Sequence, residues 1–489
     1  MISPSIEPFN EAKYKALMDG LECTEIRYKD LVIDNEKYRM DSEFYSKKYL
    51  QAYDKIKSIS HNQIVNLYDT LTDFHSNGSY ETIAEYCKLL DEPNYAYMVR
   101  TTDLEKDNYT ESVKYVTKEA YEFLSKSKIF GGELLINKIG SPGRTYLMPN
   151  LNVPVSLGMN LFLLRLKENE NICEESVYLF FNTKIGKYVM ERKINGTVPL
   201  TIDKEAIKSL YVPLFSNDFI KTLKSLIRKK ERLLKESKEQ YSLAVAELNE
   251  SIGIKVPKDI SPIYSKKLLS DSYKISGRLD AEYYHPKYEA IEKQFSGTNT
   301  VLNSCKLYDS NYIPADTETY QYIELANVCS NGEIAGVEHV VGIDLPSRAR
   351  RLVKDGQIIV ASVEGSLSSC ALITPEFNNA ICSTGFYVVS SEKYNSETLL
   401  ILFKSEMVQA MLKKRCSGTI LTTISKEEFE NMPLPEVPEL VQKKIASKVK
   451  KSFCLREESK HLLDLAVRTV EIAIETNEDE ALLWLKSLK

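Results

Sequence analysis

Between Asp218 and Glu250 the chain has no glycine or proline, and apolar residues recur every seven positions at Ile227, Leu234, Tyr241 and Leu248. Leu223 and Ala244 form a companion stripe, and Lys, Glu, Leu and Ala fill most of the remainder. The pattern predicts a long amphipathic helix. A second stretch repeats it, with Ile445, Val449, Leu463, Ala466 and Val470 in the matching positions and Arg456 where Leu234 stands in the first. Seams of this spacing predict helices that pair at a shallow angle. If a twofold relation connects them, they run antiparallel. Elsewhere the apolar runs are short. Gly132-Glu133-Leu134-Leu135-Ile136 and Gly356-Gln357-Ile358-Ile359-Val360 each read as a turn leading into a strand.

These matches belong to a repeat of the whole chain. Arg39-Met40-Asp41-Ser42-Glu43-Phe44-Tyr45 answers Arg278-Leu279-Asp280-Ala281-Glu282-Tyr283-Tyr284. Gly196-Thr197, Ile202-Asp203-Lys204-Glu205 and Val212-Pro213 answer Gly418-Thr419, Ile424-Ser425-Lys426-Glu427 and Leu434-Pro435 without a gap, through to Ala244 and Ala466. Each half has the same order: a charged and aromatic opening, a variable middle, a Gly-Thr segment, a proline punctuation and a closing helix. Similar ends around a divergent middle predict a common frame carrying two different reading surfaces. Two copies are too few for a solenoid, so the reading is a pseudo-symmetric duplication. Its parts are a first domain over 1–215, a helix over 216–252, a linker over 253–271, a second domain over 272–438, a helix over 439–476 and a tail over 477–489. The linker opens on Gly253 and carries Pro257 and Pro262. Trp484, the single tryptophan, anchors a short terminal helix.

Composition narrows the classes. With 64 Lys+Arg against 69 Asp+Glu the net charge is −5, and 43% of residues are hydrophobic. This excludes a largely disordered chain and argues against a free-standing, strongly basic nucleic-acid binder, while leaving room for local basic patches. The nine cysteines are scattered and include no Cys-x-x-Cys, which argues against a disulfide framework or zinc ribbon and for reduced, mostly buried thiols. The opening Met1-Ile2-Ser3-Pro4 lacks the basic and apolar regions of a signal peptide. No apolar run approaches the roughly 20 residues that span a bilayer. A cytoplasmic protein without a membrane partner is expected.

Catalytic signatures are missing from the sequence. There is no Asn/Asp-Pro-Pro-aromatic motif and no Gly-x-x-x-x-Gly-Lys-Ser/Thr, and the five histidines show no His-x-x-x-His pairing. Ser125-Lys126-Ser127-Lys128 contains a Ser-x-x-Lys, but a pattern this short in a polar segment is a chance match. Two other readings stand beside a recognition protein. One is an enzyme with a dispersed, nuclease-like carboxylate site, and the other is a coiled-coil adaptor with no DNA role.

The doubled Arg-x-Asp-x-Glu-aromatic-Tyr, the doubled Gly-Thr segment with its apolar-Pro punctuation and the long helix after each copy resemble the specificity subunit of type I restriction–modification systems. The resemblance runs from about Arg39 to Glu475, and Met432-Pro433-Leu434-Pro435 followed by Gln442-Lys443-Lys444-Ile445-Ala446 is very like that family. In the first copy Tyr211 replaces the first proline of the punctuation, and Ile220 stands where the second copy has Gln442. The resemblance implies an α+β fold with two mixed α/β target-recognition domains, each reading one half of a bipartite site in double-stranded DNA, with the long helices as an antiparallel spacer. It implies a non-catalytic role in phage defence, with two DNA methyltransferase subunits as partners and a motor-nuclease subunit joining for restriction. S-adenosylmethionine is then the partner's cofactor, and this chain holds no cofactor or metal of its own. A helix of about 30 residues spans about 45 Å, the length of about 13 base pairs of B-DNA.

Base readout needs donors and acceptors that reach groove edges, with cations nearby for phosphates. In the first half the candidates are Lys138, Arg144, Tyr146, Arg192, Lys193, Asn195 and Thr197, around the loop Gly140-Ser141-Pro142-Gly143 and the pliable Gly196. In the second half they are Arg348, Arg350 and Arg351, then Ser362, Ser366 and Ser368 after a predicted strand, and Lys413, Lys414, Arg415, Ser417 and Thr419. The charges of Arg39, Asp41 and Glu43 and of Arg278, Asp280 and Glu282 suit either ion pairs inside a shared frame or a docking face for two identical partners.

Overall fold

Short strands flanked by glycine and long glycine-free runs become, in the computed structural model, small sheets braced by two long helices. The structure describes residues 9–107, 109, 113–196, 198–253, 256–257, 264, 266–270, 272–273, 277–295, 299–418 and 422–488. They form two compact units, Met1–Lys230 with Lys460–Lys489, and Glu231–Ser459. The long helices are Asn217–Ile252 and Glu439–Glu475, so each unit holds a segment of both.

In the first unit the strands are β1 (His61–Gln63), β2 (Tyr68–Asp73), β3 (Ala96–Val99), β4 (Lys114–Val116), β5 (Lys128–Ile129), β6 (Leu134–Asn137), β7 (Thr145–Leu147), β8 (Val155–Leu157), β9 (Leu161–Leu166) and β10 (Tyr211–Pro213). One sheet has the order β2-β9-β6-β7 and another β4-β3-β8-β5, with β3 and β8 parallel. The continuous apolar runs of β6 and β9 have a simple cause: both faces are covered. Leu134, Ile136, Phe162 and Leu164 point into the core shared with the helices, while Leu135, Leu161 and Leu163 point into the core shared with the other sheet. Tyr211, the residue in place of proline, lies in β10, pairs with Gln63 of β1, and donates its hydroxyl to Asp34 Oδ1 at 3.0 Å.

The second unit contains β11 (Lys306–Tyr308), β12 (Thr319–Ile323), β13 (Glu338–Val341), β14 (Ala349–Leu352), β15 (Ile358–Ala361), β16 (Cys370–Leu372), β17 (Ile381–Ser383), β18 (Phe386–Ser390), β19 (Cys416–Ser417) and β20 (Thr423–Ile424). Its sheets run β11-β18-β15-β16 and β13-β12-β17-β14, with β12 and β17 parallel. Strand for strand this is the order of the first unit. The divergent middle of the sequence therefore carries one topology twice, and the difference lies in what is inserted between strands. The helix Tyr80–Tyr86 between β2 and β3 has no counterpart among the described residues between β11 and β12. β15 repeats the two-faced burial, with Ile358 and Val360 on the helix side and Ile359 and Ala361 on the sheet side.

The long helices pair antiparallel. In the first unit Leu223 and Ile227 share a core with Ala466 and Val470, and Leu463 packs against it. In the second, Ala244 and Leu248 share a core with Ile445 and Val449, and Tyr241 packs against it. Leu234 departs from the expected seam: it is partly exposed, while Leu233 and Ser237 are buried. The reason is local. Its counterpart Arg456 turns to Glu333, at 2.8 Å, and the buried stripe runs instead through the small side chains of Ser237 and Ser452. Ser237 Oγ donates to the Ser452 carbonyl at 2.8 Å and Ser452 Oγ to the Ser237 carbonyl at 2.9 Å, which needs close backbone approach. Ser237→Leu is expected to cost about 3 kcal/mol, combining overpacking with lost hydrogen bonds, and Ser237→Ala about 1 kcal/mol. Equal denaturation midpoints for the two variants would contradict this.

The Ile220/Gln442 difference has its own account. Ile220 is buried in the first core, whereas Gln442 donates from Nε2 to the Lys393 and Val437 carbonyls, both at 3.0 Å, and its Oε1 accepts from Asn395 N at 3.0 Å. One helix start is seated by apolar contact and the other by hydrogen bonds.

Candidate nucleic-acid interface

Two connections meet on the same side of each unit. In the first, the turn between β6 and β7 (residues 138–144) is tied to the loop 195–201 that follows the helix Lys184–Glu191. An isolated bridge joins Ile139 and Thr201, Ile202 N donates to the Lys138 carbonyl at 3.2 Å, and Asn195 and Thr201 exchange two backbone bonds of 2.8 Å. In the second, the connection between β15 and β16 is tied to the loop between β19 and β20. A bridge joins Val363 and Thr423, Ile424 N donates to the Ser362 carbonyl at 2.9 Å, and Glu364 N to that of Thr422 at 3.0 Å. Gly196 (φ 96°) and Gly418 (φ 133°) make both loops possible, since side chains rarely adopt that backbone region.

A buried acid fastens the first rim. Asp73, at the end of β2, accepts from Lys138 Nζ and Lys204 Nζ, both at 2.8 Å, so one carboxylate holds the start of one loop and the residue just beyond the other. Burial opposes the Asp73 charge, but Lys138, Lys204 and Ser76 outweigh it and hold the carboxyl well below the usual range. The second unit has the matching pair, Asp309 with Lys426 at 2.6 Å, on the surface. The repeat of Lys204 and Lys426 was visible in the sequence. Their acids were not, because they lie far off in the chain with no motif around them.

The candidate residues divide. Arg144 is exposed at the first rim, 3.5 Å from Glu105 and over the ring of half-buried Tyr146. Asn195 sits in the loop, with Val198 and Leu200 exposed beside it. At the second rim Ser366 is partly exposed, and Ser368, Ser417 and Lys413 are exposed. Arg348 bonds Tyr322 and Glu324, Arg350 bonds the Ser347 carbonyl, and Arg351 bonds the Asp309 carbonyl and Asn311. These three arginines lie on and beside β14, on the sheet other than that of β15 and β16. Thr197 and Thr419 lie outside the described residues.

Six candidates face inward and serve the frame instead. Arg192 is buried against the Phe44 and Tyr53 rings and donates to the Phe44 carbonyl. Lys193 is buried on Glu36 and the Asp34 carbonyl, and Lys414 and Arg415 are buried on Glu292. Burial lowers the pKa of both Lys193 and Lys414. Lys138 is engaged by Asp73, and the buried Ser362 donates to the Gly385 carbonyl at 2.9 Å. For Arg192, Lys193 and Lys414, at helix ends, rings of Phe44, Tyr53 and Tyr283 close in space though distant in sequence accompany the inward turn.

The charged openings form ion pairs within each unit, their acids still partly exposed. Arg39 forks onto Asp41 at 2.8 and 2.7 Å and caps the Arg192 and Ile194 carbonyls; Arg278 forks onto Asp280 at 2.7 and 2.9 Å and caps those of Lys414 and Cys416. The hydrogen bond from Arg39 holds the Asp41 carboxyl down at about 2. Among the described residues no His, Cys, Asp and Glu group could hold a metal ion, and no helix is long and apolar enough to cross a membrane.

No family model and no curated protein matches the chain. Solved structures do. The chain is similar to the S subunit of a type I restriction–modification system from M. genitalium, with 14% identity, a TM-score of 0.38, and 86% of this chain and 95% of that one covered. It is similar to the HsdS subunit from Thermoanaerobacter tengcongensis, with 11% identity, a TM-score of 0.26, and 85% and 96% covered. A third similar chain comes from work on complex assembly and conformational transition of the type I R-M system, with 11% identity, a TM-score of 0.27, and 85% and 97% covered.

Proposed function

We propose that this chain is the DNA-recognition subunit of a type I restriction–modification system, reading a bipartite site and carrying two adenine methyltransferase subunits. The observation that supports this reading is the pair of loop rims, built twice on one topology and tied by equivalent bridges, yet lined by different side chains. A frame repeated with altered rims is what two unlike half-sites require. Arginine and asparagine beside exposed Val198 suit a groove edge in one unit, and a serine-rich rim beside Lys413 suits one in the other. The paired long helices serve as the spacer between the half-sites. The chain contributes recognition and scaffolding, the methyltransferases bring S-adenosylmethionine, and motor-nuclease subunits join for restriction.

Adenine methylation across the genome, compared with and without the gene, tests the reading. A bipartite motif should lose its methylation on deletion, which would expose both half-sites and the gap between them. An unchanged methylome would reject it in favour of an adaptor or a dispersed-site enzyme.

A further inference from the structure

The first unit holds a cavity of about 480 Å³ beside its rim, a size that suits a small organic ligand. It is lined in part by the helix Tyr80–Tyr86, the element without a counterpart among the described residues of the second unit. Two links tie it to the rim. Phe74 lines it and directly follows Asp73, the acid that holds Lys138 and Lys204. Asn160 lines it as well, and its carbonyl accepts from Lys138 N at 2.8 Å. Part of the wall is backbone against backbone: a Cβ at Gly158 would lie 2.3 Å from the Val99 carbonyl oxygen.

The lining is of two kinds. Phe74, Tyr80, Met98 and Met159 supply aromatic and thioether surface. Tyr80 is 73% exposed and stacks with His75, ring centroids 6.4 Å apart and 23° between planes, so an aromatic face is held at the surface. Thr102 and Asn160 supply a hydroxyl and an amide, both exposed and without a side-chain hydrogen bond among the described residues. The charged lining residue, Arg100, forks onto Asp103 at 3.1 and 2.7 Å. A phosphate would therefore find its cation already engaged. A neutral, flat molecule with hydrogen-bonding edges matches the lining: rings and thioethers take its faces, the hydroxyl and amide its edge. Nucleobases combine these properties, since each has a π-face that stacks on aromatic side chains and an edge that an asparagine amide can read.

We propose that this cavity binds a nucleobase, stacked on Tyr80 and hydrogen-bonded at its edge by Thr102 and Asn160. The base has two possible sources, a nucleotide unstacked from DNA at the first rim or a free nucleoside, and only the first rests on the function proposed above.

In the first arm of the test, 2-aminopurine riboside is titrated into the full chain and followed by its fluorescence, which stacking on an aromatic ring quenches. It should bind at one site, about 10-fold more weakly to Tyr80→Ala, and not to Ala84→Trp, whose indole fills the cavity. Both positions are exposed, so thermal melting should be unchanged. Indole bound as tightly as the riboside would overturn the base chemistry. The second arm uses the complex with its methyltransferase subunits and duplexes carrying 2-aminopurine at each position of the first half-site in turn. A fluorescence change at one position that Ala84→Trp abolishes identifies DNA as the source. Binding of the riboside without such a change identifies a free nucleoside. If the complex binds the duplexes but neither probe responds to the two substitutions, the cavity proposal falls and the recognition reading stands. If the complex binds no duplex, the recognition reading falls and the riboside alone decides the cavity.

Discussion

If the chain reads DNA as proposed, Asp73→Asn is expected to relax recognition of one half-site while the other is read as before. The Asp73 side chain is 8% exposed and receives the two lysines that hold the first rim. Neutralising it leaves Lys138 and Lys204, 23% and 33% exposed, without their counter-charge, and breaking such a half-buried pair costs about 2 kcal/mol, between the surface and buried cases. Asp309→Asn is the control. Its pair with Lys426 is 40% and 52% exposed, and surface pairs contribute about 0–1 kcal/mol. Denaturation of both variants, with binding to duplexes altered in one half-site at a time, checks the contrast. Equal effects of the two substitutions would refute the clamp. Acid adds a second reading. The Asp73 carboxyl titrates below its unfolded value, so its stabilisation is complete above the ordinary aspartate pKa of about 4 and is lost as pH falls below it. The stability gap between wild type and Asp73→Asn should therefore stay level from about pH 5 to 8 and close as the solution is acidified further.

Ending the chain after Thr476 is expected to destabilise the first unit by about 4 kcal/mol. The terminal helix Glu478–Ser487 buries Ala481 in the first core, packs Leu482 against it and buries Leu485. Its Glu478 carboxylate accepts from Ser216 N at 3.0 and 3.2 Å and from the Ser216 hydroxyl, directly before the first long helix begins. Truncation thus opens the edge of a core and removes a cap. Glu478→Gln should cost only about 1 kcal/mol, the value of the cap alone. Calorimetry of the full chain and the truncated one should show the first unit melting earlier and the second unchanged. An unshifted first transition would mean that the terminal helix rests on the unit without supporting it.

The two long helices were legible because heptad spacing is a local signal, and Leu223, Ile227, Leu248, Ile445, Val449 and Val470 lie buried where that spacing put them. The strands after Gly132 and Gly356 were legible for the same reason, and so was the duplication, which needs only the chain compared with itself. Local pattern did not reveal which charges face inward. Arg192 and Lys414 read as groove-seeking cations until the aromatic rings of Phe44, Tyr53 and Tyr283 came close to them from distant parts of the chain. Leu234 fell at the edge of the seam because its equivalent, Arg456, found Glu333 and two serines let the helices close up. The identical strand order of the two middles was hidden as well, since a strand buried on both faces constrains size and apolarity far more than identity. Periodicity along the chain thus determined the elements and their repetition. The partners of each charge, and hence which candidate residues stay at the surface, were decided only by the tertiary structure, because ion pairs form between residues that are close in space without any regular spacing in sequence.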